Sequence, residues 1–237
     1  THYYENMVAS SMYSVIHEGG HAIYELNTGD DLIGTTMAGG ASMGIHESQS
    51  RFYENIIGRS EAFISLIFPK IKELFPEQFE NVSAHDFYLA VNKAEPSLIR
   101  TEADELTYSM HIMVRYEIEK RLMDGSLSTK DLPNEWNRLY KEYLGIDVPC
   151  DSMGCLQDSH WSGGALGYFP SYSLGSAYGA QFLHKMKQDI DIDKLVSENR
   201  IDKVTAWLTE KIHKYGMLLT PAQLIENACG EEFNADY

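Results

Sequence analysis

Apolar residues recur at helical spacing along most of the chain. Met7, Met12, Val15, Ile16, Ile23 and Leu26 fall roughly on one face, which predicts a helix over about 5–27, ended by Gly29 and Asp30-Asp31. The stretch 28–45 is rich in Gly and Thr, contains Gly39-Gly40, and reads as a loop with one short strand near 33–38. A second helix begins near Glu47 and carries Phe52, Ile56 and Ile57; a third, apolar one covers about 61–75 and stops before Pro76. Ser83 or Asp86 caps a short helix through Val91. Pro96 breaks the pattern, and Leu98-Ile99-Arg100 reads as a short strand. Helices follow over 102–123, ended by Asp124-Gly125, and over 132–144, with Pro133 tolerated in the first turn. Further helices cover 173–188, 201–215 and 221–228. The expected fold is mostly α with a small β element, and no segment reads as a linker, so 1–237 is expected to be a single domain.

The stretch 145–172 breaks the rhythm. It holds Gly154, Gly163, Gly164 and Gly167, two prolines and many polar side chains. A loop of that length inside a helical chain points to function. Composition narrows the choice of function. Hydrophobic residues make up 43% of the 237, which excludes wholesale disorder. The net charge of −16 argues against nucleic acid or an anionic membrane as partner. No apolar run approaches the roughly 18 residues of a membrane span. The sparse, odd set Cys150, Cys155 and Cys229 cannot close a disulfide framework and favours a reducing, cytoplasmic compartment. A chain that begins at Thr1 without Met is expected to be processed or part of something longer.

One motif carries chemistry. His17-Glu18-Gly19-Gly20-His21 is an HExxH sequence within the first helix. Residues four apart project from one helix face, so both imidazoles can meet one zinc ion, and Glu18 can take a proton from water that the metal acidifies. The bland alternative is a solvent-facing polar turn. Two glycines inside the helix cost roughly 2 kcal/mol relative to Ala, and an ordinary exposed turn has little reason to carry them. They would let another backbone or a substrate come close. A catalytic zinc needs a third protein ligand, and His46 or Glu47 can supply it from the start of the next helix. His2, His85, His111, His184 and His213 lack a second His at i+4 and are expected to be structural or exposed.

Several segments together resemble one family, the carboxypeptidase Taq-type (M32) zinc metallocarboxypeptidases. Beside the HExxH stand His46-Glu47-Ser48-Gln49 for its HES/GQ motif and Ile99-Arg100-Thr101-Glu102-Ala103-Asp104 for IRxxAD. Gly154-Cys155-Leu156-Gln157-Asp158-Ser159-His160-Trp161 matches GxxQDxHW. Members are about twice this length, and their DxRxT motif lies upstream of the HExxH helix. The resemblance therefore implies that 1–237 is the single catalytic, C-terminal portion of a longer metallocarboxypeptidase. It implies an architecture like that of angiotensin-converting-enzyme-like peptidases, with a deep groove, a few strands beside it and usually a homodimer. It implies release of single residues from peptide C-termini with broad specificity, and zinc that cobalt can replace.

Carried over by motif, His17, His21 and Glu47 are the metal ligands and Glu18 the general base. Arg100 is the candidate for the substrate's terminal carboxylate, which a planar guanidinium binds through two parallel bonds. The bland alternative for it is an ion pair with Asp104 or Glu102. His160, Tyr168 and Tyr172 are candidate donors to the oxyanion, Gln157 a candidate contact to the substrate backbone. Asp104 and Asp158 are candidates for orienting imidazoles, or else for capping helices. Two rivals stand beside this reading: another HExxH peptidase, acting as aminopeptidase or endopeptidase, and a metal-binding half that is inactive without an N-terminal portion.

Overall fold

The computed structural model describes residues 4–237; the expectations for Thr1 and His2 lie outside them. The α-helices are α1 (Val8–Leu26), α2 (Met43–Arg51), α3 (Glu61–Leu74), α4 (Ala84–Val91), α5 (Tyr108–Met123), α6 (Leu132–Leu144), α7 (Pro170–Asp189), α8 (Ile192–Ser197), α9 (Ile201–Lys211) and α10 (Pro221–Cys229). Their ends follow local chemistry. Ser60 caps α3 by accepting from the Phe63 N–H. Thr220 and Gln223 close a capping box on α10, with Pro221 in its first turn. Gly145 ends α6 in the left-handed conformation, φ 73°. The short α8, which the apolar pattern did not show, is capped by Asp191.

The chain divides into two compact units, Thr1–Val91 with Leu174–Tyr237, and Asn92–Ser173. The first unit holds two apolar clusters, one around Tyr24, Ile45, Phe52, Phe182, Leu208 and Leu224, the other around Ile64, Phe68 and Phe87. The second unit packs Val114, Ile118, Trp136, Leu139 and Tyr140, with a smaller group of Ala103, Tyr108, Ile112 and Phe169. No helix is long and apolar enough to cross a membrane among the described residues.

The expected β element is absent: the described residues contain no strand. Around 33–38 the backbone makes a short 3₁₀ turn, Asp30–Leu32, followed by turns in which Thr35 N–H donates to Leu32 and Ala38 N–H to Thr35. At 98–100 the chain bends into another 3₁₀ turn, Arg100–Glu102. A strand needs a neighbour's row of N–H and C=O groups. Here side chains do that work: Tyr140 and Gln157 donate to the Leu98 carbonyl, and the Gln157 carbonyl accepts from the Arg100 N–H.

Candidate metal centre

In the first unit, α1 and α2 approach closely because Gly20 lacks a side chain. A Cβ there would lie 2.6 Å from the Ser50 Cα and 2.8 Å from the Gln49 carbonyl. Gly175 on α7 does the same on α2, where a Cβ would lie 2.6 Å from that of Glu47. Gly19, by contrast, faces open space. Pressed from both sides, α2 buries a polar run, Glu47 to Arg51, whose side chains bond to one another and to the framework. Ser48 donates to the Ile45 carbonyl, Gln49 meets the buried His213 at 2.8 Å, and Arg51 donates to Ser176.

This contact brings the ligand candidates together. Glu47 Oε2 lies 3.5 Å from His17 Nε2 and 3.8 Å from His21 Nε2. Ligand atoms of all three lie within 4.8 Å of one another. A tetrahedral ion with bonds of about 2.0–2.1 Å holds its ligand atoms roughly 3.3 Å apart, so one carboxylate and two imidazoles at these spacings fit zinc. His46, the other candidate for third ligand, instead places its Nδ1 3.0 Å from the Nδ1 of His21 and its Nε2 2.6 Å from Glu25. Glu18 sits beside His17 on α1 with an exposed side chain.

The rings differ in proton affinity. Burial pulls the His17 pKa down, but the hydrogen bond and charge of Glu54, with Glu47, outweigh it and leave His17 raised. His21 is pulled down to about 4 by burial and by its neighbours His17 and His46. Glu54, which meets His17 Nδ1 at 2.8 Å, was not anticipated. Its signal was positional: it follows Glu47 by seven residues, two turns along the same helical run.

The second unit gathers the other motif residues around two buried guanidiniums. Arg100 pairs with Asp158 through Nε at 2.9 Å and Nη2 at 2.8 Å, and donates to the Tyr108 hydroxyl. Its partner is thus neither Asp104 nor Glu102. Arg115, fully buried, binds the other Asp158 oxygen through Nε at 2.7 Å and Nη2 at 2.6 Å. The Gln157 carbonyl accepts from Arg100 N and Arg115 Nη2, while its amide donates to Leu98, Met153 and Tyr140. Asp158 is held below the usual carboxylate range: burial pushes it up, and the two arginines more than reverse this.

His160 Nε2 lies 3.0 Å from the Tyr172 hydroxyl, whose ring lies under the Arg100 guanidinium at 4.5 Å. Tyr168 packs on the same His160 ring at 5.5 Å. His160 Nδ1 is buried without a hydrogen-bond partner among the described residues, 3.9 Å from Asp158. Asp104 caps the approach to α5, accepting from the Leu106 and Thr107 N–H groups and the Thr107 hydroxyl. Arg115 and Glu119, which accepts from Trp161 Nε1, were also unanticipated. Both lie on the buried stripe of α5 with Tyr108, His111 and Ile112, where charged residues at core positions were the available sign.

Comparison with known proteins places this geometry. The family model described as Carboxypeptidase Taq (M32) metallopeptidase matches residues 1–237. The chain is 49% identical to Carboxypeptidase 1 of Bacillus subtilis strain 168, over 100% of this chain and 48% of the relative. It is 45% identical to Thermostable carboxypeptidase 1 of Pyrococcus furiosus, over 94% of this chain and 45% of the relative. Its fold matches the crystal structure of the M32 carboxypeptidase from Deinococcus radiodurans R1 with a TM-score of 0.93 at 38% identity, covering 100% of this chain and 48% of that one. The chain therefore spans about half the length of the curated relatives it matches. The expected likeness to angiotensin-converting-enzyme-like peptidases finds no support, since the matching fold is that of an M32 carboxypeptidase. With the family pattern met from end to end, and the motif histidines folded against Glu47, this chain belongs to the Carboxypeptidase Taq (M32) metallopeptidases.

Proposed function

We propose that residues 1–237 are the catalytic portion of a longer metallocarboxypeptidase that releases single residues from peptide C-termini. The convergence of His17 Nε2, His21 Nε2 and Glu47 Oε2, in a chain of this family, carries the reading. Zinc, replaceable by cobalt, is the metal proposed for these ligands. When bound there it lowers the pKa of a water to about 7 and polarises the scissile carbonyl. Glu18, next to a ligand and open to solvent, takes the proton of the attacking water and returns it to the leaving amine.

The second unit supplies donors. Arg100 is proposed to pair with the terminal carboxylate; Asp158 and Gln157 hold its side chain and backbone in place. Gln157 then serves the substrate through Arg100. His160 and Tyr172, bonded to each other, and Tyr168 on the same ring are the proposed donors to the developing oxyanion. Asp104 fixes the start of α5. A cytoplasmic location and a homodimer of the longer protein complete the proposal, with neither nucleic acid nor membrane as partner.

The test joins metal content with release of the last residue from a free-acid peptide and its C-terminally amidated twin, on the same sample. One zinc per chain with release from the free acid alone supports the reading. Cleavage of the amidated peptide would mean an aminopeptidase or endopeptidase instead. Zinc without any release would assign this chain the metal and place the remaining groups elsewhere in the longer protein.

A further inference from the structure

An imidazole can bind a metal through either nitrogen, and its neutral form carries a proton on one of them. Helix α1 sets the spacing of His17 and His21 but does not choose the nitrogen. The groups that hold the opposite nitrogens make that choice.

For His17 the holder is Glu54, whose Oε2 lies 2.8 Å from Nδ1. An ionised carboxylate only accepts, so the Nδ1 of a ligating His17 carries the proton and Nε2 is left bare toward Glu47. Glu54 is well packed, its side chain 14% exposed, with Arg59 4.0 Å away as counter-charge. It belongs to Phe52–Ile57, which winds as a π-helix directly after α2; Gly58 N–H closes it on the Tyr53 carbonyl. Such wide turns are frequent at functional sites.

For His21 the holder is a chain of two groups. Glu25 Oε1 accepts from His46 Nε2 at 2.6 Å, which leaves a neutral His46 with a bare Nδ1. That Nδ1 lies 3.0 Å from His21 Nδ1, so His21 must donate, and its own Nε2 is bare. Space for this chain is built in. A Cβ on Gly40 would lie 2.4 Å from His46 Cδ2, and the Gly40 N–H donates to Glu25. With both rings of the pair neutral, one proton arrangement satisfies every bond in both arms, and it points both Nε2 atoms at Glu47.

We propose that Glu54, and the pair His46 and Glu25, are positioning residues that aim His17 and His21 at the metal and select Nε2 as the ligating nitrogen. The inference rests on the metal reading above. The arms are unequal, because Glu54 is packed and one step from its ligand, whereas Glu25 is half-exposed at 49% and two steps away.

The experiment is competition for zinc between the chain and a chromophoric chelator, with cobalt spectra of the same samples. Glu54→Gln keeps shape and removes charge; it is expected to weaken zinc roughly 10-fold, and His46→Leu about 10- to 100-fold. Glu25→Gln is expected to weaken it less, about threefold, given its distance. The cobalt absorption bands should shift in the Glu54 and His46 variants, which a purely structural role would not produce. Long-range nitrogen–proton NMR of the metal-free chain at pH 8 reads the tautomers without any variant, and His17 and His21 are both expected to carry the proton on Nδ1. Zinc affinity within twofold of wild type in Glu54→Gln and His46→Leu, while Glu47→Gln has lost zinc, would overturn this inference alone. An Nε2 proton on either ring would also overturn it. Failure of the wild-type chain to bind zinc would overturn the metal reading as well.

Discussion

The two units each bury a polar cluster, and the clusters have opposite chemistry. Around His17, His21 and Glu47 the groups are acceptors: carboxylates and ring nitrogens that can present lone pairs. Around Asp158 they are donors: two guanidiniums share one carboxylate, so the group carries one net positive charge. An acceptor-rich pocket suits a cation and a donor-rich one suits an anion. The histidines make the contrast visible. Burial pulls His17, His21, His111, His160 and His213 down, yet His17 ends raised because Glu54 and Glu47 outweigh burial, whereas His21, beside His17 and His46, ends at about 4. In the second unit Arg100 and Arg115 add to burial, so His160 ends lowered and His111 falls to about 3. Burial alone therefore does not tell what a buried histidine is for; its neighbours do.

The strongest way to break this comparison is Glu18→Gln in an active form of the protein. Hydrolysis should fall by about 100- to 10,000-fold while zinc content stays. A variant that loses activity and zinc together would place Glu18 among the groups that hold the metal. Asp158→Asn tests the donor cluster, because it leaves two buried guanidiniums without their counter-charge. Denaturant unfolding should show a loss of about 3–5 kcal/mol, and Arg115→Met, which leaves the Arg100–Asp158 pair balanced, a smaller one.

Next in size are the glycines that close α2 in. Gly20→Ala and Gly175→Ala push a methyl group against backbone and should each cost about 1–3 kcal/mol in thermal or chemical unfolding. Acid sensitivity, set by the buried histidines, comes next. A histidine held below its ordinary 6.5 stabilises the fold above that value and loses this as pH falls toward its folded pKa. His111 in the second unit and His213 in the first, both pulled down to about 3, should each lose stabilisation in this way as pH falls below about 6.5. In the metal-free first unit His17 acts in the opposite sense. Its raised pKa gives stability below 6.5 that is lost as pH rises through the folded value. Asp158 adds to the acid loss of the second unit as pH falls below about 4. Chemical unfolding of the metal-free chain should show lower stability at pH 5 than at pH 7, because among the described residues four lowered histidines outnumber the one raised. The smallest effect is Gly19→Ala, which faces open space and should stabilise by up to about 1 kcal/mol, in contrast to its neighbour Gly20.

Much of the helical framework was legible because a helix is read from its own residues. The 3.6-residue period and local caps located α3, α6 and α10 within a residue and α1 within three, and the i, i+4 spacing of His17 and His21 put both rings on one face. The same local reading misjudged 33–38 and 98–100, since a strand exists only if another segment pairs with it. There, turns and the side chains of Tyr140 and Gln157 took the backbone groups. Arg100 was legible as a charged residue in a motif, but its partner, 58 residues away, was not. Sequence by itself determined the family, the helix that carries the HExxH motif and the register of its two histidines, because these depend on covalent spacing. Only the tertiary structure decided that Gly20 and Gly175 let α2 come within reach, that Glu54 and His46 hold the far sides of the rings, and that Arg115 shares Asp158. Each of those outcomes depends on which distant segments meet, and chain spacing does not encode that meeting locally.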